Sequence, residues 1–149
     1  MRSAVCIARR MPKCLLVDDD RDGREGYSEY LHAFGFEVEA HADAESALRS
    51  LVRVRPDIML VDLQLPGLSG WDLIKAVRGF SAELPIVAFT ACVFPDDRRR
   101  AEEAGCSAFL TKPLPPADVL AELNRLLKTK RAVQRATARP MLGHGSGGK

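Results

Sequence analysis

Long hydrophobic runs are absent from this sequence of 149 residues. No apolar segment approaches the roughly 18 residues of a membrane span, and the stretch 3–8 is shorter than the apolar core of a secretory signal. We therefore expect no membrane insertion and a cytoplasmic location. With 46% hydrophobic residues, a chain of this length suits one globular domain and leaves little room for a second.

Cysteine is also scarce, with four residues at positions 6, 14, 92 and 106. They form no C-x-x-C pair and have no histidine at metal-ligand spacing, which argues against a zinc site. Cys14 and Cys106 lie within or beside apolar segments, where a reduced cysteine usually packs as a small core residue.

Acidic residues are missing from both ends of the chain. Residues 1–13 carry four basic side chains and residues 128–149 carry six, whereas residues 14–127 hold all 20 acids and 12 basic residues. This distribution is expected if residues 14–127 contain metal-binding carboxylates and the basic ends of the chain are solvated. The C-terminal end has no aromatic residue, so it either keeps the protein soluble or attracts nucleic acid or anionic lipid weakly.

Short apolar segments alternate along the chain with segments of helical periodicity. The apolar segments Cys14–Val17, Phe36–Ala40, Ile58–Val61, Pro85–Phe89 and Ala108–Leu110 predict strands. Helices are predicted from the segments Tyr27–Phe34, Ala44–Leu51, Trp71–Val77, Pro95–Ala104 and Val119–Leu127, with Asp43 as an N-cap. Five such units predict an α/β fold: a flavodoxin-like, doubly wound, five-stranded parallel sheet of order 2-1-3-4-5 with helices on both faces.

The folded domain is expected to span residues 13–130. Before it we predict a flexible N-terminal extension over residues 1–12, in which Met11 is a possible second start. After it we predict a flexible basic tail over residues 131–149, ending in a glycine-rich segment.

Chemically distinctive residues stand where the predicted strands end. Asp18 and Asp19 follow the first strand, Asp62 the third, Thr90 the fourth and Lys112 the fifth. The carboxyl ends of the strands form the functional edge of a doubly wound sheet, so these side chains should converge. Two carboxylates about 4 Å apart repel by roughly 4 kcal/mol at an effective dielectric near 20. A hard divalent cation with oxygen ligands, Mg²⁺ above all, would offset that repulsion.

Asp62 directly follows four apolar residues, where an uncompensated charge is expensive. A carboxylate can attack phosphorus and form an acyl phosphate, a transfer that needs positioning and charge neutralisation more than further covalent help. Lys112 could hold one phosphoryl oxygen and Thr90 could donate to another. Asp62, Thr90 and Lys112 are therefore the candidate reactive set.

Four segments of the chain resemble, in order, the signatures of response-regulator receiver domains. They are residues 15–19 (Leu-Leu-Val-Asp-Asp), 61–67 (Val-Asp-Leu-Gln-Leu-Pro-Gly), 89–91 (Phe-Thr-Ala) and 110–113 (Leu-Thr-Lys-Pro). The resemblance covers about residues 13–130 and is to stand-alone, chemotaxis-regulator-like receivers of two-component systems. It implies a phosphoacceptor that is not an enzyme in the usual sense, although it transfers phosphate to itself and dephosphorylates itself.

The resemblance also implies the individual roles. Asp62 would be phosphorylated by a sensor histidine kinase or a histidine phosphotransfer protein, and Lys112 would bind the phosphoryl group. The Mg²⁺ ligands would be Asp19 and Asp62 directly, Asp18 mainly through water, and the backbone carbonyl of Gln64.

Thr90 would be the switch hydroxyl, and Phe109 the aromatic ring that changes rotamer with it. Family members often carry tyrosine where Phe109 stands, so a hydrogen bond from a ring hydroxyl is unavailable here. A downstream protein would bind the face formed by the fourth helix, the fifth strand and the fifth helix.

Other functions remain open at this point. The alternatives are a receiver that serves as a protein-binding module without phosphate turnover, and an aspartyl-phosphate phosphohydrolase of the haloacid-dehalogenase type. The second class wants an acid two residues after its nucleophile, where Gln64 stands. A flavodoxin is disfavoured because residues 18–20 would repel a flavin phosphate. We expect no dedicated DNA-binding domain, because too few residues follow Lys130 for a helix-turn-helix unit.

Two charged segments have simpler explanations. Asp20 is expected to be solvated or to cap a helix. Arginines 98–100 precede Glu102 and Glu103 at helical spacing, which predicts a solvated helix face that pairs with these acids and does not bind nucleic acid.

Overall fold

The computed structural model describes residues 10–91 and 93–138. These residues form five parallel strands that alternate with five helices. In chain order the elements are β1 (Lys13–Val17), α1 (Arg21–Ala33), β2 (Glu37–His41), α2 (Ala44–Val54), β3 (Ile58–Val61), α3 (Gly70–Arg78), β4 (Ile86–Thr90), α4 (Asp97–Ala104), β5 (Ala108–Thr111) and α5 (Pro116–Ala138). The strand order β2-β1-β3-β4-β5 confirms the predicted flavodoxin-like sheet.

The sheet separates two hydrophobic cores, because successive side chains of a strand point to opposite faces. Leu15 of β1 and Met59 of β3 face the core that α2 and α3 cover. Leu16 and Leu60, one residue further along each strand, face the core that α1 and α5 cover. β3 and β4 are buried along their whole length, in agreement with their continuous apolar sequences.

Local hydrogen bonds fix where the helices begin after the strands. The side chain of Asp20 accepts a hydrogen bond from the backbone N–H of Gly23 (3.0 Å) and caps α1. Asp43 caps α2 in the same way through Ser46 (2.7 Å), as predicted. Asp20 lies only three residues after the end of β1, so the loop that leaves this strand is short and held at both ends.

Helix α5 is longer than the sequence pattern indicated. The flexible tail does not begin at residue 131 as predicted, because α5 continues to Ala138. Residues 131–138 contain alanine, arginine and glutamine, which favour helices, and the next proline is Pro140. All eight side chains are exposed, so the loss of hydrophobic periodicity after residue 130 reflects exposure. The rest of the predicted tail, and residues 1–9 of the predicted N-terminal extension, lie outside the described residues.

Cys14 is fully buried, and burial raises the pKa of its thiol to about 12. This burial agrees with the prediction of a small core residue. Within the described ranges, none of the helices combines the length and the apolar character needed to cross a membrane.

Candidate functional site

Three carboxylates meet at the carboxyl ends of β1 and β3. One oxygen from each of Asp18, Asp19 and Asp62 lies within 4.8 Å of the others. Asp18 is 1% exposed and Asp62 is 9% exposed, whereas Asp19 is open to solvent. The N–H of Asp62 donates to the carbonyl oxygen of Val17 (2.9 Å), so the ladder between β1 and β3 fixes the cluster. The convergence predicted from the strand ends is confirmed for these three carboxylates.

Lys112 supplies a positive charge to this cluster. Its Nζ donates to Oδ2 of Asp18 (2.7 Å) and to Oδ2 of Asp62 (3.0 Å). Burial by itself lowers the pKa of this ammonium, but the hydrogen bonds and the charges of the two carboxylates outweigh it and raise the pKa above its usual value. The backbone N–H of Lys112 donates to the carbonyl of Thr90 (2.9 Å), which holds the start of the loop after β5 against β4.

Backbone N–H groups orient the two buried carboxylates. Oδ1 of Asp18 accepts from the N–H of Asp20 (2.9 Å), and Oδ1 of Asp62 accepts from the N–H of Gln64 (2.9 Å). Each buried acid therefore has one oxygen on the backbone and the other on Lys112. Gln64 lies beside the site, as predicted, while the role of its carbonyl as a metal ligand stays a prediction.

Thr90 is fully buried at the end of β4. Its Oγ1 has no hydrogen-bond partner among the residues that the structure describes. A buried hydroxyl without a partner is unfavourable by about 1 to 3 kcal/mol. This arrangement fits a hydroxyl that donates to an oxygen of a group bound at the site.

Phe109 is a near neighbour of Thr90 across the ladder between β4 and β5. Thr90 pairs with Thr111 and Ala88 pairs with Phe109, so the side chains of Thr90 and Phe109 lie on the same face of the sheet. The ring of Phe109 is partly buried and packs against the core on that face. The placement suits the predicted coupling between the two residues, and the movement itself stays a prediction.

Sequence reasoning missed two residues that shape the site. Arg24 donates from Nη1 to the carbonyl of Asp18 (2.8 Å), a contact that no periodic pattern signals. Gly70 lies directly against the loop after Asp62, where an added Cβ would come 2.2 Å from the carbonyl oxygen of Asp62 and 2.6 Å from Cα of Leu63. The only sequence signal for Gly70 was a glycine at the start of a predicted helix.

The donor set suits a hard cation. The three clustered carboxylates outnumber the one ammonium, which pairs with Asp18 and Asp62, so the site keeps an excess of negative charge. Oxygen ligands of this kind, some held in place and one exposed, are typical of an Mg²⁺ site that keeps several waters. The buried hydroxyl of Thr90 and the ammonium of Lys112 provide two donors for an anionic group.

The sequence of residues 14–124 matches the response regulator receiver domain. The chain belongs to this family. A receiver domain is a phosphoacceptor signalling module and not an enzyme in the usual sense.

Known proteins similar to this receiver include longer regulators. The transcriptional regulatory protein PrrA of Mycobacterium leprae is 34% identical over 121 residues, which cover 81% of this chain and 52% of that protein. The response regulator MprA of Mycobacterium tuberculosis is 32% identical over 129 residues, which cover 87% of this chain and 56% of that protein. The chain thus spans about half the length of these relatives.

Among solved structures, the chemotaxis protein CheY4 of Vibrio cholerae is 33% identical with a TM-score of 0.74, over 78% of this chain and 98% of that chain. The receiver domain of DrrB, solved in its BeF3-activated form, is 26% identical with a TM-score of 0.73, over 79% of this chain and 98% of that one. Each match covers 98% of the solved chain, so the similarity extends over the whole receiver fold.

Proposed function

We propose that this receiver accepts a phosphoryl group on Asp62, with Mg²⁺, from a sensor histidine kinase or a histidine phosphotransfer protein. The observation that carries the proposal is the carboxylate of Asp62, which ends a buried strand 3.0 Å from the ammonium of Lys112 and beside two further acids. The phosphorylated receiver then changes shape and regulates a partner protein in the cytoplasm.

The transfer exchanges one bond to phosphorus for another. A carboxylate oxygen of Asp62 attacks the phosphorus of a phosphohistidine, and the bond from phosphorus to the imidazole nitrogen breaks. The electron pair stays on that nitrogen, which takes up a proton. Mg²⁺, when held by the three acids, would supply positive charge to the phosphoryl oxygens. Lys112 donates to one phosphoryl oxygen, and the hydroxyl of Thr90 donates to another.

The metal site draws on residues that the structure brings together or places nearby. Asp19 and Asp62 would hold Mg²⁺ directly, Asp18 would act mainly through water, and the backbone carbonyl of Gln64 would be the further protein ligand. Asp18 suits an indirect role because it is 1% exposed and already bound to Lys112 and to the N–H of Asp20.

The output follows from the position of Thr90. Its hydroxyl moves towards the phosphoryl group, and the ring of Phe109 fills the space that it leaves. A downstream protein reads the change on the face of α4, β5 and α5. We place the receiver proper at residues 13–130, with α5 running on to Ala138.

A small phosphodonor such as acetyl phosphate tests the assignment. Incubated with Mg²⁺, the wild-type protein should gain one phosphoryl group in intact-mass spectrometry, and Asp62→Asn should gain none. Asp57→Asn is the matched control, because Asp57 lies before β3 and binds the N–H of Lys13 (2.8 Å), away from the cluster. Equal labelling of Asp62→Asn and wild type would refute the assignment. A phosphotransfer profile against purified histidine kinases would then identify the donor.

A further inference from the structure

Helix α4 has little apolar contact with the body of the protein. Its sequence is Asp-Arg-Arg-Arg-Ala-Glu-Glu-Ala, and only Asp97 and Ala101 are buried. The carboxylate of Asp97 accepts from the N–H of Phe94 (2.8 Å) and so closes the loop before the helix. The position of α4 must therefore depend on contacts other than a hydrophobic stripe.

The three successive arginines of α4 have different surroundings. The Cζ atom of Arg98 lies 5.3 Å from the ring centroid of Phe109, and that of Arg100 lies 4.3 Å from the ring of Trp71 in α3. Arg99 pairs with carboxylates, at 3.7 Å from Asp96 and 3.8 Å from Glu103. The predicted solvated face that pairs with acids therefore describes Arg99, whereas Arg98 and Arg100 each cover an aromatic ring.

We propose that Arg98 is a positioning residue of the switch, and that its guanidinium holds the ring of Phe109 in its present place against movement towards Thr90. This inference rests on the proposed function, because it needs Phe109 to be the ring that responds. Arg100 contacts Trp71 of α3, whereas Arg98 reaches in the other direction to the ring of Phe109 on β5.

The physical reason is the chemistry of the ring. Phenylalanine has no hydroxyl, so no hydrogen bond can hold it in one rotamer. Its face carries negative potential, and a guanidinium within about 6 Å of the centroid is attracted to it. The Arg98 side chain is exposed, so the contact is a weak one that biases the equilibrium between two ring positions by roughly two- to fivefold. A bias of this size tunes the switch without locking it.

Binding of beryllofluoride, a phosphoryl mimic, measures this bias. With Mg²⁺ present, the mimic binds the state in which the ring has moved, so its apparent dissociation constant depends on how much of that state is already populated. Arg98→Ala should lower this dissociation constant by about two- to fivefold, as followed by amide chemical shifts. Arg98→Lys, which keeps a positive charge, should give a dissociation constant between those of Arg98→Ala and wild type. Arg99→Ala is the matched control, with the same residue type on the same helix and no effect expected.

A double-mutant cycle separates the contact with Phe109 from a general effect on α4. In a Phe109→Leu background the ring is gone, so Arg98→Ala should no longer change the affinity. The inference is overturned if Arg98→Ala leaves the affinity of the otherwise wild-type protein unchanged, or changes it equally in both backgrounds. If the wild-type protein itself fails to bind beryllofluoride, the proposed function falls first, and this inference falls with it.

Discussion

The Nζ atom of Lys112 lies 2.7 Å from Oδ2 of Asp18, a residue 94 positions earlier in the chain. The two residues follow β5 and β1, and β3 and β4 lie between these strands in the sheet. The ammonium thus reaches across the carboxyl edge of the sheet and offsets the repulsion between Asp18 and Asp62 from within the protein. A divalent cation at the same edge would share this task.

Replacing Lys112 with methionine should destabilise the protein most when Mg²⁺ is absent. The change removes the ammonium and leaves two buried carboxylates facing each other, so the free energy of unfolding should fall by about 2 kcal/mol. Added Mg²⁺ should recover part of that loss. Urea denaturation with and without MgCl₂ measures both effects, with Lys75→Met as a control at an exposed position of α3. Equal losses for the two variants would contradict the compensating role of Lys112.

Asp19 and Asp20 are adjacent acids with different roles. Asp19→Ala should weaken Mg²⁺ binding because it removes the exposed carboxylate that we propose as a metal ligand. It should leave the metal-free fold as stable as before or more so, because repulsion between the carboxylates is relieved. Asp20→Ala should leave the Mg²⁺ affinity unchanged. It should lower the free energy of unfolding by about 1 kcal/mol, because it removes the N-cap of α1. For both variants, Trp71 fluorescence measures the Mg²⁺ affinity and urea denaturation measures the free energy of unfolding. Similar Mg²⁺ affinities for both variants would remove Asp19 from the metal site.

Gly70 should be intolerant of even the smallest side chain. A Cβ there would overlap the backbone of Asp62 and Leu63, so Gly70→Ala should lower the free energy of unfolding by roughly 2 to 3 kcal/mol and displace the loop after Asp62. Gly26→Ala is the control, since nothing lies within 4 Å of a Cβ at that position of α1, and it should stabilise the protein by about 1 kcal/mol. Thermal denaturation of both variants gives the comparison. A Gly70→Ala protein as stable as wild type would show that the loop can move aside.

Thr90→Ala should still accept a phosphoryl group but lose most of the conformational response. Its hydroxyl has no partner in the described part of the structure, so its removal should relieve a desolvation cost that roughly offsets the packing lost with the methyl group, and the free energy of unfolding should change little. Beryllofluoride-induced amide shifts in residues 91–127 measure the response, and Thr90→Ser, which keeps the hydroxyl, should retain most of it. Shifts in Thr90→Ala as large as those in wild type would exclude this hydroxyl as the link to Phe109.

Much of the architecture could be predicted because burial imposes a period on the sequence. The continuous apolar run Ile58–Val61 identifies a strand that is buried on both faces, and β3 has these bounds. Asp62 and Lys112 could be placed at one edge because parallel strands end on the same side. Where a helix is exposed on all sides, its hydrophobic residues follow no helical periodicity. The sequence pattern therefore did not indicate the last two turns of α5.

Contacts that depend on side-chain reach could not be predicted either. Arg24 has the charge of any surface arginine in the sequence, and only the turn into α1 brings its guanidinium to the carbonyl of Asp18. Gly70 is required because another backbone segment passes close to it, which is a property of the fold and not of its neighbours in sequence. Arg98 and Arg99 look alike in the sequence, and the rotation of α4 alone decides which of them meets Phe109.

Because α5 is long, a small change in its orientation would produce a larger displacement at its C-terminal end. The helix begins at Pro116, four residues after Lys112, and its 23 residues span about 35 Å from the carboxyl edge of the sheet towards the opposite edge. There Lys130 donates to the carbonyl of Asp57, just before β3 (3.4 Å). A tilt of only about 5° at the start of the helix would displace Ala138 by about 3 Å, so a small change near Lys112 would be magnified at the far end.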